Sequence, residues 1–333
     1  MKREAVMEHL PVAFCHASTL LLQGQDLLCC YFAGSVEGAA DVGIYLSRRT
    51  SQGWSQPQLL VQGAEANWNP VLCAYEGQVL LFYKEGQAIA DWRTYLLRSQ
   101  DGGLTWSAPE ELVPGDMSGG RGPVRNKCLR LQDGTLLAGG SLERGLWTAF
   151  VDRSSDGVHW EKSVPIGIPQ LVYQTGERTA ESAIAVSEQS FYGRGVIQPT
   201  LWESAPNQVH MLLRSSEGYV YRSDSSDGGR SWCPAYATEL VNNNSGLDLV
   251  RASDGALYLV CNPVAANWGE RSPLSLFRSR DNGSTWQRML DLETGPGEFS
   301  YPAIICAGST LQLSYTWQRQ RIMHVELELD RLQ

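Results

Sequence analysis

The sequence predicts an all-β chain, folded as a six-bladed β-propeller of four-stranded antiparallel blades. Three observations predict it: a recurring eight-residue phrase, a tryptophan period near 50 residues, and short apolar runs bounded by turn residues. The phrase reads Ser99-Gln100-Asp101-Gly102-Gly103-Leu104-Thr105-Trp106, and it returns as Ser225 to Trp232 and Ser279 to Trp286. Its pattern is S-x-D-x-G-x-[ST]-W. Ser154 to Trp160 is a copy one residue short, and Ser47 to Trp54 keeps the spacing without the Asp.

The order Asp, Gly, Ser/Thr makes a hairpin turn. The Asp side chain accepts backbone N–H bonds inside it, and Gly supplies a positive φ. The Trp buries a large ring and locks the turn onto the layer beneath. Asp101, Asp227 and Asp281 are therefore read as structural. Trp54, Trp106, Trp160, Trp232 and Trp286 lie 52, 54, 72 and 54 residues apart, the length of one four-stranded blade with its loops. Five tryptophans mark five blades, and the stretch after Trp286 has room for a sixth. The longest interval holds about 18 extra residues, placed as an insertion within 165–195 where Gly, Gln, Ser and Glu break the strand pattern. The whole of 1–333 reads as one domain.

With 43% hydrophobic and 19% charged residues the composition is that of an ordinary globular chain. A net charge of −9 without a basic block argues against nucleic acid as a partner. No apolar run is long enough to span a membrane. The first ten residues lack a signal-peptide pattern, so a cytoplasmic location is expected, or a secreted one if such a segment has been removed. The eight cysteines sit mostly within apolar strand patterns and read as buried free thiols. Their spacing suggests no metal site, and no cofactor is expected.

A short word precedes the first strand of each blade: His16-Ala17, Asn69-Pro70, Asn126-Lys127, Gln198-Pro199, Asn244-Ser245 and Tyr301-Pro302. In a propeller the first strands line the central channel, so these words converge on one mouth. Pro is tolerated at the first position of a strand. A second tier stands at the ends of the second strands, bringing Glu37, Asp41, Lys84, Glu143, Arg214, Trp317 and Arg319 to the same mouth, with Arg271 and Glu298 beside them. Arg recognises carboxylates in a two-pronged way, and aromatic faces such as Trp68 and Trp317 stack on sugar rings. The mixture suits an acidic oligosaccharide or glycoconjugate.

The phrase is the Asp box, and residues 12–328 resemble the sialidase (neuraminidase) superfamily, specifically its BNR/Asp-box repeat propellers. The resemblance implies a nucleophilic Tyr helped by a Glu, an acid/base Asp and three carboxylate-binding arginines. Tyr301, in Gly297-Glu298-Phe299-Ser300-Tyr301-Pro302, matches the nucleophile, an exception among glycosidases that suits an anomeric centre bearing a carboxylate. Arg214 matches the second arginine and Arg271 resembles the third. Three positions depart from the pattern. Phe14-Cys15-His16 stands where the first arginine is expected. Gln198, which cannot take a proton, stands where the helper Glu is expected, and Glu203 has the wrong strand parity to replace it. The acid falls within 37–41, so Glu37 or Asp41 fills it.

Three functions remain open on the sequence. The first is an exo-glycosidase, sialidase-like, for a terminal acidic sugar. Tyr301 would be its nucleophile and Glu37 or Asp41 its acid/base. Arg214 and Arg271 would form the clamp, helped by Lys84 or Lys127, with Glu298 or Glu143 partnering Tyr301. Asn69, Asn126, Gln198, Trp317 and Arg319 would complete the substrate site. The second is a lyase or hydrolase of uronate-containing glycans in which His16 and Tyr301 move the proton. The third is a non-catalytic carbohydrate-binding propeller.

Overall fold

The computed structural model describes residues 1–169, 171 and 193–332. The expected insertion within 165–195 lies largely outside these residues. Among them the fold is all-β: 25 strands and two short 3-10 turns, Ile89–Asp91 and Leu329–Leu332. No helix among them is long and apolar enough to cross a membrane. All eight cysteines are free thiols.

The strands group into six successive antiparallel units. The first unit holds β2 (Phe14–Gln23), β3 (Asp26–Gly34), β4 (Gly43–Thr50), β5 (Gly53–Trp54) and β6 (Gln58–Val61). The second holds β7 (Asn67–Tyr75), β8 (Gln78–Glu85), β9 (Arg93–Ser99) and β10 (Glu110–Glu111). The third holds β11 (Leu129–Arg130), β12 (Leu136–Arg144), β13 (Leu146–Ser154) and β14 (Glu161–Lys162). The fourth holds β15 (Arg194–Ala205), β16 (Gln208–Ser215), β17 (Tyr219–Ser225) and β18 (Tyr236–Val241), and a short parallel pairing of β13 with β15 joins it to the third. The fifth holds β19 (Asp248–Arg251), β20 (Leu257–Cys261), β21 (Leu274–Ser279) and β22 (Gln287–Glu293). The sixth holds β23 (Phe299–Ala307), β24 (Thr310–Trp317) and β25 (Arg321–Glu328), and its fourth strand is β1 (Lys2–Ala5), from the other end of the chain.

The buried apolar residues among those described are divided among six clusters, each lying between two consecutive units. Leu28 and Ile44 pack with Trp68 and Leu81, and Leu80 and Phe82 with Leu136 and Ala138. Leu137 and Val151 meet Met211 and Leu213, and Trp202 meets Leu257 and Leu259. Tyr258 and Val260 meet Leu313 and Tyr315. The sixth cluster joins Ala303 and Ile322 of the last unit to Cys29 and Tyr31 of the first. Among the described residues each sheet thus buries both faces against its neighbours rather than forming a core of its own.

The Asp boxes work as the sequence predicts. Asp227 Oδ1 accepts the N–H groups of Arg230 at 3.0 Å and Ser231 at 2.9 Å, and Oδ2 takes the Ser231 hydroxyl at 2.5 Å. Asp101 and Asp281 repeat this within their own boxes. The sequence did not reveal that each turn is also pinned by an arginine of the preceding unit. Arg48 donates to Gly102 O at 2.7 Å, Arg98 to Gly157 O at 3.2 Å, Arg153 to Gly228 O at 2.9 Å and Arg222 to Asn282 O at 2.8 Å.

Asp248 is 2% exposed and gathers four units. Its carboxylate takes both Lys127 bonds at 2.8 Å, the Thr200 hydroxyl at 2.6 Å and the Ile304 N–H at 3.0 Å.

Two predictions follow from this bonding. Asp248→Ala leaves the Lys127 ammonium uncompensated and should destabilise by about 3–5 kcal/mol, read from urea melts. Asp116, Asp224 and Asp227 are each held at about 2, because hydrogen bonds to the ionised form outweigh the burial that pushes them up. Their folded values lie below the unfolded ones, so their contribution is complete above the ordinary Asp range and is lost as pH falls towards 2. The urea midpoint should therefore drop steadily between about pH 4 and pH 2.

Candidate active site

Four first strands carry the same backbone device. The pairing registers shift between His16 and Thr19, Trp68 and Val71, Ile197 and Thr200, and Ser300 and Ala303. Within each bulge one residue has a positive φ: Ala17 at 50°, Asn69 at 41°, Gln198 at 54° and Tyr301 at 52°. Such a conformation strains a residue with a side chain, and strained residues of this kind concentrate at functional sites. A bulge also re-aims its side chain, and a missing ladder bond accepts Pro70, Pro199 and Pro302 without loss. In the first unit the bulged residue is Ala17. His16 stands one place earlier, so aligning the words by their polar residues put His16 in the wrong register relative to Tyr301.

Tyr301 is half-buried in a cage of cations. Arg214 Nη1 donates to its hydroxyl at 2.8 Å. The guanidinium carbons of Arg125, Arg271 and Arg214 lie 5.2, 5.5 and 5.9 Å from its ring centre. The His16 ring centre is 4.2 Å away. Burial alone would raise the phenol, but Arg214, Arg271 and the Gln198 amide hold it below its ordinary value. His16 is 1% exposed and donates to or accepts from the Thr316 hydroxyl at 2.9 Å through Nδ1. Burial and the surrounding arginines, led by Arg319, push it well below the usual His range, so it is neutral.

The remaining predicted residues divide into those near Tyr301 and those engaged elsewhere. Arg214 also donates to Asn244 Oδ1 at 2.7 Å and to Gln198 Oε1 at 3.4 Å. Glu298 accepts Arg271 at 2.6 Å, Arg319 at 2.8 Å and Ser300 at 2.9 Å, and despite burial these arginines hold it at about 2. It is therefore committed to the arginines and makes no bond to the Tyr301 hydroxyl. Glu37 pairs with Arg319, while Asp41 is exposed and turns onto Ser35 of its own loop. Glu143 is 8% exposed, and burial raises it to about 7 against the pull of Arg214 and Lys84.

Asn69 is buried in its bulge, and Asn126 donates to the Gln198 and Pro199 carbonyls at 3.0 and 3.2 Å, holding the neighbouring bulge in place. Three residues expected at the mouth serve the frame instead. Lys84 is 1% exposed and is used by the Thr94 hydroxyl at 2.6 Å and the Arg121 carbonyl at 2.5 Å. Lys127 is held by both oxygens of Asp248. Trp68 is 2% exposed, with its N–H on Gly86 O at 2.8 Å, so it offers no face to a sugar. Trp317 packs towards Phe299 at 6.4 Å and under Arg321. Glu203 lies at the far end of β15, accepting the Gln132 N–H at 2.9 Å.

Sequence reasoning missed Arg125. It is 3% exposed and donates to Pro302 O at 2.5 Å, and its Nε has no partner among the described residues. It stands one residue before the Asn126 word, so reading one place upstream would have found it. Trp268 was also missed. It has φ 55° and lies 5.3 Å under the Arg214 guanidinium.

Among the described residues, Glu4, His324 and Glu326 form the one group with metal-ligating atoms close together. Arg49 already pairs with Glu4 at 2.8 Å and Glu326 at 2.6 Å, so the group serves to clip β1 onto its neighbours.

A family profile described as the BNR repeat-like domain matches residues 25–313. Among curated proteins, none matches the sequence. Among solved structures, the Hadza microbial sialidase Hz136 superimposes with a TM-score of 0.74 at 18% identity, over 96% of this chain and 66% of that one. A protein of unknown function from Dyadobacter fermentans gives 0.74 at 13% identity, over 95% and 94%. The NanB sialidase from Streptococcus pneumoniae gives 0.72 at 12% identity, over 97% and 69%. The chain thus spans about two thirds of the two sialidase chains. At these identities the likeness is one of fold. With the profile covering most of the sequence, the chain belongs to the BNR repeat-like domain family and is a sialidase-like BNR repeat protein.

Proposed function

We propose that the six units close as a six-bladed propeller and that the chain is a glycosidase of the sialidase superfamily acting on a terminal acidic sugar, with Tyr301 as nucleophile. The ring is supported by the six inter-unit clusters, the last of which joins sixth unit to first, and by β1 completing the sixth unit. The observation that carries the chemistry is the Tyr301 hydroxyl on Arg214, within a cage of arginines. A phenol whose pKa is lowered is more readily activated as a nucleophile than an ordinary tyrosine. It also meets a carboxylate-bearing anomeric centre with less repulsion than a carboxylate would. Arg271 donates to Glu298 and Ser300 from Nη1 alone, which leaves its other N–H groups for the sugar carboxylate. Glu143, raised to about 7, is the carboxyl that keeps a proton for the leaving oxygen. Glu37, next to Arg319, fits the acid role less well, and Asp41 is tied to its loop.

A second reading is favoured by the His16–Tyr301 contact and by the lack, among the described residues, of any carboxylate bonded to the Tyr301 hydroxyl. In it Tyr301 removes the proton beside a uronate carboxylate, neutral His16 assists, and the product is an unsaturated uronate.

Assay on sialosides and on uronate-capped oligosaccharides separates these readings. A hydrolase releases the intact acidic sugar, with water added. A lyase gives a product with new ultraviolet absorbance and no water added. Binding without turnover on either set would leave a carbohydrate-binding propeller. Tyr301→Phe is expected to lower kcat by at least about a hundredfold with little change in KM, and full activity in this variant would remove Tyr301 from both mechanisms. Activity should fall as pH rises through about 7, where Glu143 loses its proton, and that limb should vanish in Glu143→Gln. Arg214→Gln should raise the Tyr301 phenol, read by ultraviolet titration, because it removes the cation bonded to the hydroxyl.

A further inference from the structure

We propose that Ser204, His210 and Asp224 form a second hydrolytic site, separate from Tyr301, that cleaves short-chain acyl esters. Ser204 Oγ lies 2.7 Å from His210 Nε2, and His210 Nδ1 lies 2.5 Å from Asp224 Oδ1. This is the order nucleophile, base, orienting carboxylate, which is recognised by geometry rather than by sequence position. Ser204 is half-buried in a bulge of β15, where the register shifts between Glu203 and Ala205, so its side chain is aimed by an irregularity of the strand. Asp224 is held in turn by Arg222 at 2.9 Å and the Tyr236 hydroxyl at 2.6 Å. Arg222 Nη2 also lies 3.1 Å from His210 Nδ1.

Asn282 fixes the histidine tautomer. Trp202 Nε1 donates to Asn282 Oδ1 at 2.7 Å, which turns the amide NH₂ towards His210 Nε2 at 3.1 Å. The 2.5 Å bond to Asp224 Oδ1 takes the Nδ1 proton in preference to the longer Arg222 contact, so Nε2 is the acceptor that faces Ser204 and Asn282, as a general base requires. Trp202 stacks on the imidazole with ring centres 4.9 Å apart. Asn282 belongs to the third Asp box, where the other two full boxes carry Gly102 and Gly228. The one box with a side chain at this place is the one facing His210. Arg251 Nη1 bonds the Glu203 carbonyl at 3.0 Å and the Ser204 carbonyl at 3.2 Å, which brings a positive charge beside this segment that would favour a developing oxyanion. Ala205, Pro206 and Asn207 are exposed around Ser204, an open rim that suits a small acyl group on a larger carrier, such as an O-acetylated sugar. Gln198 and Ser204 are six residues apart on one strand, about 20 Å, so the two sites do not share a substrate position.

In the reaction Ser204 Oγ bonds to the acyl carbon and its proton passes to His210 Nε2. The ester C–O bond breaks, and that proton goes to the departing alcohol. Water then attacks the acyl-serine, giving a proton to His210, and the carboxylic acid leaves as Ser204 regains its hydrogen.

The test is reaction of the full chain with a fluorophosphonate, mapped by peptide mass spectrometry, beside turnover of p-nitrophenyl acetate. One adduct is expected, on Ser204, with ester turnover lost in Ser204→Ala. Asn282→Gly, which installs the residue of the other boxes, should fold normally and label at least about tenfold more slowly. No Ser204 adduct on folded protein, or ester turnover unchanged in Ser204→Ala, overturns the proposal. The readout involves no glycan and no Tyr301 chemistry, so its failure is distinguishable from failure of the glycosidase reading.

Discussion

Asp248 is the constraint on which the inner part of the molecule depends. It stands at the start of the fifth unit and binds groups from the third, fourth and sixth. A buried carboxylate with this many donors is stable only if all of them arrive together. Holding Lys127 fixes the two residues before it. Asn126 then bonds the carbonyls of Gln198 and Pro199, and Arg125 bonds the carbonyl of Pro302. Two of the four bulges are therefore positioned by the segment that Asp248 anchors, and one of them carries Tyr301.

The bulges impose a local cost, of order 1–3 kcal/mol for each non-glycine residue at positive φ. The outer parts of the fold offset it. Arginines Arg48, Arg98, Arg153 and Arg222 each carry a bond from one unit to the turn of the next, and the apolar clusters lie in the same interfaces. Regular, repeated packing outside thus supports irregular backbone inside. This division explains why the repeated phrase takes no part in the contacts around Tyr301 although it organises the chain around it.

Much of the frame was legible because it repeats. The Asp boxes, the tryptophan spacing and the apolar runs identify the units, and the words before the first strands led to Gln198 and Tyr301. What failed to repeat was harder to read. The closing strand β1 is four residues, Lys2–Ala5, without an apolar alternation. Lys84 and Trp68 lie opposite each other in the β7–β8 pairing, and both face inward, which spacing from the Asp box does not determine. Arg125 escaped because it stands one residue before the Asn126-Lys127 word, in a unit whose pairing carries no bulge to mark it. Where a bulge is present, it aligns the words by backbone conformation, which depends on pairing across the sheet and leaves no local signature. That misplaced His16 by one residue relative to Tyr301.

The charges around Tyr301 are unbalanced, and the imbalance bears on what the site accepts. Arg125, Arg214, Arg271 and Arg319 face Glu37, Glu298 and Glu143, and burial keeps Glu143 protonated up to about pH 7. Two cations are left over, in a chain whose net charge is −9. The lowered phenol of Tyr301 is the local response to that excess, because an ionised oxygen there is stabilised by the arginine it touches. A ligand carboxylate would supply the same negative charge and compete for the same guanidinium groups. Its arrival would weaken the pull on the phenol and raise the phenol's pKa again. Substrate charge and Tyr301 ionisation are thus linked with opposite sign, so an acidic sugar would meet a tyrosine less readily ionised than a neutral one would.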